Sequence, residues 1–552
     1  MTTNWEDVFF QDLLNDVNLN NPSTLAINSP KISLNLEQFE AVNIIANPTK
    51  GVPQTARNRK KVRQTVGNVP NEQVRNFVDL GPLFDISKKI VASFILIGPP
   101  GTGKTYVICI GSMLRVFNPE NRITHLFIAT FSNAGAYRIY QKFGDIAQAL
   151  NAPNYFQRIK LVQSRDAQKT VAFSRLLSMI SLSPDDFVIP NKRPYGTMEK
   201  DEWKDHLKEI YIFVGTSDSL GILATDSSST VPIHAVIYDE ASQLTVPQFF
   251  QVLPKKTPDS ICVVGDDKQL PPVATLEALG VSALSYLQGR PEYQNIPVPL
   301  SQIKELTKQY RMHPSIAQLT QNILQSKRIV IPDGKTTLPG YTLPLPFQVP
   351  NTALFQSFDP TTQQTLKEIL DPDHAVVVID TSNLIDANDV TIGTSRENRT
   401  EAEIAIAINK SLLLCYKKLK QDDIILTSPY AAQVSIFNKQ RINAGTVHQY
   451  QGQEAQAVIY SLTFATPGQK SDFFSKLNLM YVGLSRAEKK LIIIGNQAAM
   501  SSSNKGIQLV RQAIFRYKYQ PNISPGYPSY PTDPSVQICV DQQFFTDIKQ
   551  LI

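Results

Sequence analysis

A glycine-rich segment with one lysine carries the clearest chemistry in this sequence. It reads Gly98-Pro99-Pro100-Gly101-Thr102-Gly103-Lys104-Thr105 and meets the GxxxxGK[ST] pattern between an apolar run and a helix-compatible run. Glycines let backbone N–H groups curl around a β-phosphate, and Lys104 can reach the β- and γ-phosphates. Thr105 can give its hydroxyl to Mg²⁺ at the positive end of the following helix. The segment therefore predicts a phosphate-binding loop for ATP with Mg²⁺.

Two acidic residues follow a second apolar run, Ala235-Val236-Ile237-Tyr238. Asp239 is expected to hold the Mg²⁺ shell, and Glu240 is expected to act as general base on the attacking water. An acidic pair of this kind is often only the solvated end of a strand, but the phosphate loop upstream favours catalysis. Gln269, beyond a third apolar run, is a candidate sensor of the γ-phosphate. Lys104, Asp239, Glu240 and Gln269 thus predict ATP hydrolysis.

Composition limits the possible classes of protein. The chain has 552 residues, of which 42% are apolar and 18% charged, a balance typical of globular domains. A formal net charge of +6 favours a polyanionic partner without proving one. The four cysteines form no CxxC pair, so we expect buried thiols rather than disulfides or zinc ligands. No signal peptide or run of about 18 apolar residues is evident, which predicts an intracellular protein that does not enter a membrane.

Short Val- and Ile-rich runs recur along the chain and predict strands buried on both faces of parallel sheets, the α/β class. The runs lie at 94–98, 125–130, 209–215, 235–239, 261–265, 375–380, 423–428, 457–462 and 491–496. We expect a first domain at 34–300, with insertions at 51–91 and 151–208, and a second domain at 301–515. An amphipathic segment at 1–33 and an extended strap at 516–552 would complete the chain. The basic run in the first insertion fits a solvated loop, a phosphate-backbone contact or an import signal.

Four motifs arrive in an order typical of one family. After the phosphate loop come Asp-Glu-Ala-Ser-Gln at 239–243, Gly-Asp-Asp-Lys-Gln-Leu-Pro-Pro at 265–272 and Gln-Tyr-Arg-Met-His-Pro at 309–314. Together they resemble superfamily 1 helicases, in particular the branch typified by the RNA helicase of nonsense-mediated mRNA decay. The resemblance covers about Leu34 to Ala499. It implies two tandem RecA-like P-loop domains with parallel sheets and an inserted subdomain in the first.

The resemblance also implies nucleotide-contacting residues in both domains. Gln38 would read the adenine edge, on which Tyr310 would stack, and Glu454 would contact the nucleotide. Arg311 and Arg486 would reach the γ-phosphate from the second domain, a task that suits a permanently charged, forked guanidinium. Gln453 occupies a position at which the family frequently has a basic residue.

Loops that grip a nucleic-acid backbone are implied at several strand ends. The residues are Ser132, Asn133, Thr216 and Ser217 in the first domain and Pro429, Tyr430, Gln433 and Thr446 in the second. Small hydroxyl and amide groups bind phosphates without reading bases, so binding should be independent of sequence. Nothing in these motifs separates RNA from DNA.

The implied activity is an ATP-dependent helicase or translocase that moves 5′ to 3′ on a single strand and unwinds duplexes. An ATP-gated nucleic-acid clamp, or an ATPase that remodels RNA–protein complexes without processive unwinding, is the alternative. We expect a monomer, with a possible protein partner at the N- or C-terminal segment.

Overall fold

The computed structural model describes eighteen ranges of the chain. These are residues 34–46, 92–117, 125–150, 156–163, 187–188, 207–225, 232–253, 258–273, 280–288, 303–324, 343–349, 352–385, 387–440, 442–450 without 443, 452–465, 477–500, 505–520 and 533–552. The predicted amphipathic segment at 1–33, the basic insertion at 51–91 and most of the insertion at 151–208 lie outside them. The chain divides into two compact units.

The first unit comprises residues 1–98, 103–267 and 271–306. Its eight strands are β1 (Ala92–Ile97), β2 (His125–Thr130), β3 (Ile159–Val162), β4 (Phe187–Val188), β5 (Ile212–Thr216), β6 (Ile233–Tyr238), β7 (Ser260–Gly265) and β8 (Ile303–Glu305). They form one parallel sheet in the order β4-β3-β5-β2-β6-β7-β1-β8. Parallel strands share one carboxyl edge, so the segments after β1, β2, β5, β6 and β7 gather there.

The described residues of this unit form six helices: α1 (Leu36–Ala46), α2 (Lys104–Val116), α3 (Asn133–Ala149), α4 (Ser217–Thr225), α5 (Val246–Gln251) and α6 (Ala283–Leu287). Helix α3 begins where the Ser132 hydroxyl accepts a hydrogen bond from the Gly135 N–H, a side-chain N-cap. Helices α1 and α2 pack closely at Gly111, where an added Cβ would lie 2.7 Å from Cβ of Ile45. This contact fixes α1, and with it Gln38, against the helix that follows the phosphate loop.

The second unit comprises residues 99–102, 268–270 and 307–552. Its strands are β9 (Val376–Asp380), β10 (Val390–Ile392), β11 (Ser395–Glu397), β12 (Ile424–Ser428), β13 (Ala444–Thr446), β14 (Ala455–Ser461), β15 (Ala487–Gly495) and β16 (Ser535–Cys539). Six of them form a parallel sheet in the order β13-β12-β14-β15-β9-β16. Strands β10 and β11 form a separate antiparallel hairpin.

Eight α-helices flank or follow these strands: α7 (Pro314–Leu324), α8 (Ala353–Gln356), α9 (Pro360–Leu370), α10 (Arg399–Cys415), α11 (Ala431–Lys439), α12 (Leu477–Leu484), α13 (Lys505–Phe515) and α14 (Gln542–Ile548). Two apolar clusters, one of which includes α7, α12 and α13 and the other α9, α10 and α14, pack on the sheet. A strand covered on both faces is continuously apolar, which explains the Val- and Ile-rich runs. The α/β class with parallel sheets is confirmed.

Two elements lie across the expected domain boundaries, which stay predictions, and one expectation about the cysteines needs correction. Strand β8 pairs with β1 in the first sheet, although we placed residues from 301 onward in the second domain. Part of the expected C-terminal strap forms β16, which pairs with β9, and α14; residues 521–532 lie outside the described ranges. Cys539 is exposed, whereas Cys109, Cys262 and Cys415 are buried. Within the described ranges, no helix is long and apolar enough to cross a membrane.

Candidate nucleotide and nucleic-acid site

The phosphate loop leaves the end of β1 and enters α2. Its first residue is tied to the neighbouring strand, because the Gly98 N–H donates to the Gly265 carbonyl at 3.0 Å. Gly101 and Gly103 have φ of 78° and 86°, in the left-handed region that glycine adopts without strain. Nζ of Lys104 donates to the Gly98 carbonyl at 2.6 Å, so the ammonium group is held over the loop. This is a cradle of backbone N–H groups with one cation beside it.

Gln38 of α1 lies directly against this loop. A Cβ added at Gly103 would lie 2.5 Å from Nε2 of Gln38, so only glycine leaves room for the amide. The Gln38 side chain is 4% exposed, and its Oε1 accepts from the Asn35 N–H at 3.0 Å. The structure therefore brings Gln38 to the loop, although they are far apart in sequence and a predicted insertion separates them.

The acidic pair lies at the same sheet edge, since β6 is separated from β1 by β7 alone. Asp239 is buried, and burial, reinforced by Glu240, raises the pKa of its carboxyl to about 6, against the opposing charges of Lys104 and Arg138. Glu240 adopts a φ of 54°, which is uncommon for a residue with a side chain. Its carboxylate accepts from Arg138 of α3 at 2.8 Å. Backbone strain and a cationic partner thus fix the side chain that we predicted as general base.

Hard oxygen ligands are available for a magnesium ion at this edge. Thr105 contributes a hydroxyl in the first turn of α2, and Asp239 contributes a carboxylate whose ionised form is destabilised by burial. A divalent cation would stabilise that ionised form, and Mg²⁺ prefers such oxygen donors. These two residues fit the ion.

In the second unit, the two predicted arginines have different environments. Arg311 forms an ion pair with Glu454, and its side chain is 21% exposed. Arg486 is 3% exposed and donates to the carbonyls of Val482 and Gln453 and to the Ser485 hydroxyl, at 2.8, 3.1 and 3.0 Å. Arg486 is therefore buried among groups of its own unit, and its contact with a phosphate stays a prediction.

The structure also describes the other residues of this unit that we predicted to contact the nucleotide. The Tyr310 N–H donates to the Gly101 carbonyl at 2.8 Å, both residues belonging to the second unit. A Cβ at Gly101 would lie 2.7 Å from Cβ of Arg311. The Gln269 carbonyl accepts from Nδ2 of Asn478 at 3.3 Å. These contacts involve Tyr310, Arg311 and Gln269, but they assign none of the three a role in ATP hydrolysis.

In the first unit, two of the predicted backbone-gripping residues, Ser132 and Thr216, accept hydrogen bonds from N–H groups at the start of a helix. Ser132 and Asn133 are partly exposed at the start of α3, after β2. The Thr216 hydroxyl, partly exposed after β5, accepts from the Ser219 N–H at 3.2 Å. Ser217 is 2% exposed, and its contact with a strand stays a prediction. Sequence reasoning missed Phe131, which is 43% exposed between β2 and Ser132; an aromatic residue at a strand end was the available signal.

In the second unit, several predicted nucleic-acid residues are buried. The Gln433 amide has no exposed surface: its Oε1 accepts from the Asn398 N–H at 2.7 Å, and its Nε2 donates to the Ser461 hydroxyl at 3.0 Å. Tyr430 is 3% exposed, and Pro429 is buried beside it. The side chains of these three residues are therefore enclosed within the second unit, and their contact with a strand stays a prediction. Thr446, in contrast, is partly exposed.

A buried carboxylate explains why Gln433 points inward. Glu401 of α10 accepts from the Ser461 hydroxyl at 2.7 Å and from the Thr463 N–H at 2.8 Å. Asn398 caps α10 by accepting from the Glu401 N–H, and the Gln433 amide joins the same network. Burial raises the pKa of the Glu401 carboxyl to about 7. Sequence reasoning missed Glu401, because a glutamate in the first turn of a helix is normally a solvated residue.

Comparison with known proteins supports the nucleotide-binding assignment of the chain. Two family models, each described as an AAA domain, match residues 87–275 and 293–498. Over 451 residues the chain is 24% identical to the "DNA replication ATP-dependent helicase/nuclease DNA2" of Saccharomyces cerevisiae, covering 77% of this chain and 27% of that protein. The matches point to the superfamily 1 helicases.

Two further relatives of this group cover most of the chain. It is 24% identical to the "DNA polymerase alpha-associated DNA helicase A" of Saccharomyces cerevisiae, over 78% of this chain and 67% of the relative. It is 23% identical to human "RNA helicase Mov10l1", over 81% of this chain and 36% of the relative. The chain spans only 27% and 19% of the length of the first two DNA2 proteins it matches. The finer assignment to the nonsense-mediated decay branch stays a prediction.

Among solved structures, the chain is similar to an arterivirus nonstructural protein 10 helicase with DNA. The identity is 14%, the coverage is 76% of this chain and 63% of the other, and the TM-score is 0.35. A likeness this loose supports no inference about the site.

Proposed function

We propose that this chain couples ATP hydrolysis to movement along single-stranded nucleic acid, in the 5′ to 3′ direction, and thereby unwinds duplexes. The observation that carries the proposal is the arrangement at the carboxyl edge of the first sheet. There the glycine loop and Lys104 follow β1, and the buried Asp239 and the partly exposed Glu240 follow β6, with β7 alone between the two strands. A cation for phosphate and a strained, positioned carboxylate for water are the two parts that phosphoryl transfer needs.

In the proposed site, the loop N–H groups, Lys104 and the Gln38 amide bind ATP, while Thr105 and Asp239 hold Mg²⁺. When bound, the Mg²⁺ ion would neutralise negative charge on the phosphates. Glu240 takes the proton of the attacking water, and its ion pair with Arg138 keeps the carboxylate aimed. Within the second unit Arg311 pairs with Glu454, and its contact with the γ-phosphate stays a prediction.

The direct test is ATP hydrolysis by the full chain with and without single strands. We expect stimulation by single-stranded RNA or DNA of equal length, and a loss of at least about a hundredfold in turnover for Lys104→Ala. Lys142→Ala is the matched control, because this partly exposed lysine of the same unit pairs with Asp145 instead. Equal turnover in Lys104→Ala and Lys142→Ala would refute the phosphate-loop assignment.

Directional unwinding is tested with duplexes that carry a 5′ or a 3′ single-stranded tail. Displacement from the 5′-tailed duplex alone is expected. Robust hydrolysis without displacement on either tail would refute unwinding and support the second candidate, an ATP-gated clamp or remodelling ATPase. One observation favours that candidate: Arg486 bonds to groups of its own unit rather than facing a ligand. A chain in which only one arginine binds the γ-phosphate would change its affinity for nucleic acid when ATP binds, but it would hydrolyse ATP slowly.

A further inference from the structure

Helix α3 connects two parts of the first unit, the predicted strand contact and the predicted general base. The helix directly follows β2 and begins at Asn133. Ser132 and Asn133, both partly exposed, are the residues predicted to contact a strand. Further along the helix, Arg138 donates to the Glu240 carboxylate at 2.8 Å. Within about two helical turns, α3 therefore leads from the predicted strand contact to the predicted base.

Both carboxylate oxygens of Glu240 lie against this helix. Oε1 accepts from Nη2 of Arg138, and Oε2 would lie 3.2 Å from a Cβ added at Gly135. Gly135 and Arg138 are three residues apart and therefore share one face of α3. The Gly135 N–H in turn donates to the Ser132 hydroxyl at 3.1 Å. A movement of the first turn of α3 would therefore change the surroundings of the Glu240 carboxylate.

The ion pair between Arg138 and Glu240 is sensitive to such a movement. Their side chains are 37% and 14% exposed, and one nitrogen of the guanidinium makes the contact. Nε of Arg138 is buried and has no hydrogen-bond partner among the described residues. A guanidinium that binds through one nitrogen lacks the geometric constraint of a two-bond fork. A shift of about 1 Å at α3 would take the 2.8 Å contact beyond hydrogen-bond range.

The backbone of Glu240 is held independently of α3. Its φ is 54°, a conformation that persists only where the surroundings enforce it, and its N–H donates to Oδ1 of Asp239 at 2.9 Å. The carboxylate can therefore be displaced by rotation of its side chain, which Arg138 restrains. Misplacing a catalytic group by about 1 Å can slow a reaction about a hundredfold. The position of α3 thus bears on the rate of hydrolysis.

We propose that Arg138 is a positioning residue that couples strand binding at the start of α3 to the general base Glu240. A strand bound at Ser132 and Asn133 holds the first turn of the helix in place, and Arg138 then keeps the carboxylate in position to take a proton. Without a strand, the helix moves and the single hydrogen bond is broken more often. The proposal rests on the proposed function and deepens it, because it assigns the stimulation of hydrolysis by nucleic acid to one contact.

The test measures ATP turnover of the full chain with and without a saturating single-stranded oligonucleotide. In Arg138→Gln, the ratio of the two rates should fall at least about fivefold relative to the wild type, since coupling between two sites commonly amounts to about five- to 150-fold. Arg138→Lys keeps a cationic donor and should recover most of the ratio. Arg158→Gln is the matched control and should leave the ratio unchanged, because Arg158 pairs with Glu209 at 3.4 Å and precedes β3, away from the carboxyl edge.

Strand binding measured by anisotropy separates coupling from direct contact. Without nucleotide, the affinity of Arg138→Gln for the oligonucleotide and its slope against salt concentration should stay close to those of the wild type. Weaker binding with a shallower slope would make Arg138 a phosphate contact and overturn the proposal. An equal loss of turnover with and without the strand, up to complete inactivity, would leave Arg138 as a mere support of the carboxylate and would also overturn it. Wild-type turnover that no strand stimulates would instead overturn the proposed function.

Discussion

Glutamine at position 401 should remove a pH dependence of stability that the wild-type chain carries in its second unit. Burial raises the pKa of the Glu401 carboxyl from 4.5 to about 7, with Asp389 adding to the rise and the hydrogen bonds from Ser461 and Thr463 opposing it. At about 1.4 kcal/mol per pH unit, this difference is equivalent to about 3 kcal/mol. Glu401 is completely buried, so solvent screening does not reduce this figure much.

The sign follows from which state holds the proton. Below about pH 4.5, both folded and unfolded chains carry a protonated Glu401, and no stability is lost. As the pH rises from 4.5 to 7, the unfolded chain ionises while the folded one stays protonated, so the free energy of unfolding falls. Above the folded pKa the loss is complete. The wild type should therefore lose about 3 kcal/mol from this group between about pH 4.5 and 8.

Urea unfolding of wild type and Glu401→Gln at several pH values measures this effect. The difference in unfolding free energy between them should shift by about 3 kcal/mol in favour of the variant as the pH rises, because all other titrating groups are shared. Glu403→Gln controls for removal of a carboxylate from the same helix, since Glu403 is partly exposed and pairs with Lys549 at 3.1 Å. A difference that stays constant with pH would show that Glu401 has the same pKa in the folded and unfolded chains and would refute the reasoning.

Three further substitutions test the nucleotide and strand sites. Glu240→Gln keeps a partner for Arg138 but cannot take a proton, so we expect ATP binding to persist and turnover to fall at least about a hundredfold in a hydrolysis assay. Gly103→Ala places a Cβ 2.5 Å from Nε2 of Gln38 at a φ of +86°, so ATP affinity measured by titration should fall about ten- to a hundredfold. Phe131→Ala should weaken single-strand binding, measured by anisotropy, about tenfold through lost stacking.

Each of these three predictions has a control or an outcome that would contradict it. If Glu240→Gln hydrolysed ATP as fast as the wild type, the assignment of Glu240 as general base would be refuted. Gly393→Ala has a similar positive φ but no neighbour within 4 Å, so ATP affinity equally reduced in both glycine variants would point to backbone strain alone. Ile222→Ala removes an apolar side chain that is 37% exposed on α4 of the same unit. If it weakens binding as much as Phe131→Ala, base stacking is not the cause.

The sequence alone determined the elements whose chemistry is local. The phosphate loop needs glycines, a lysine and a hydroxyl in one continuous segment between a strand and a helix, and each requirement is written in consecutive residues. Apolar runs likewise predicted nine strands of the two sheets, because a strand buried on both faces is apolar at every position. These strands are β1, β2, β5, β6, β7, β9, β12, β14 and β15, whereas β3, β4, β8, β13 and β16 were not predicted. The acidic pair could be assigned because it directly follows such a run.

Tertiary structure decided which polar residues face a ligand and which face the core. Gln433 and Glu401 look like surface residues of helices, but hydrogen bonds to Asn398 and Ser461, at sequence separations of 35 and 60, draw them inside. Strand β16 adds to the sheet edge only because β9 presents unpaired backbone groups there. Burial and long-range pairing depend on the packing of distant segments, and no local pattern encodes them. The glycine loop was therefore readable from sequence, whereas the surface that a strand meets was not.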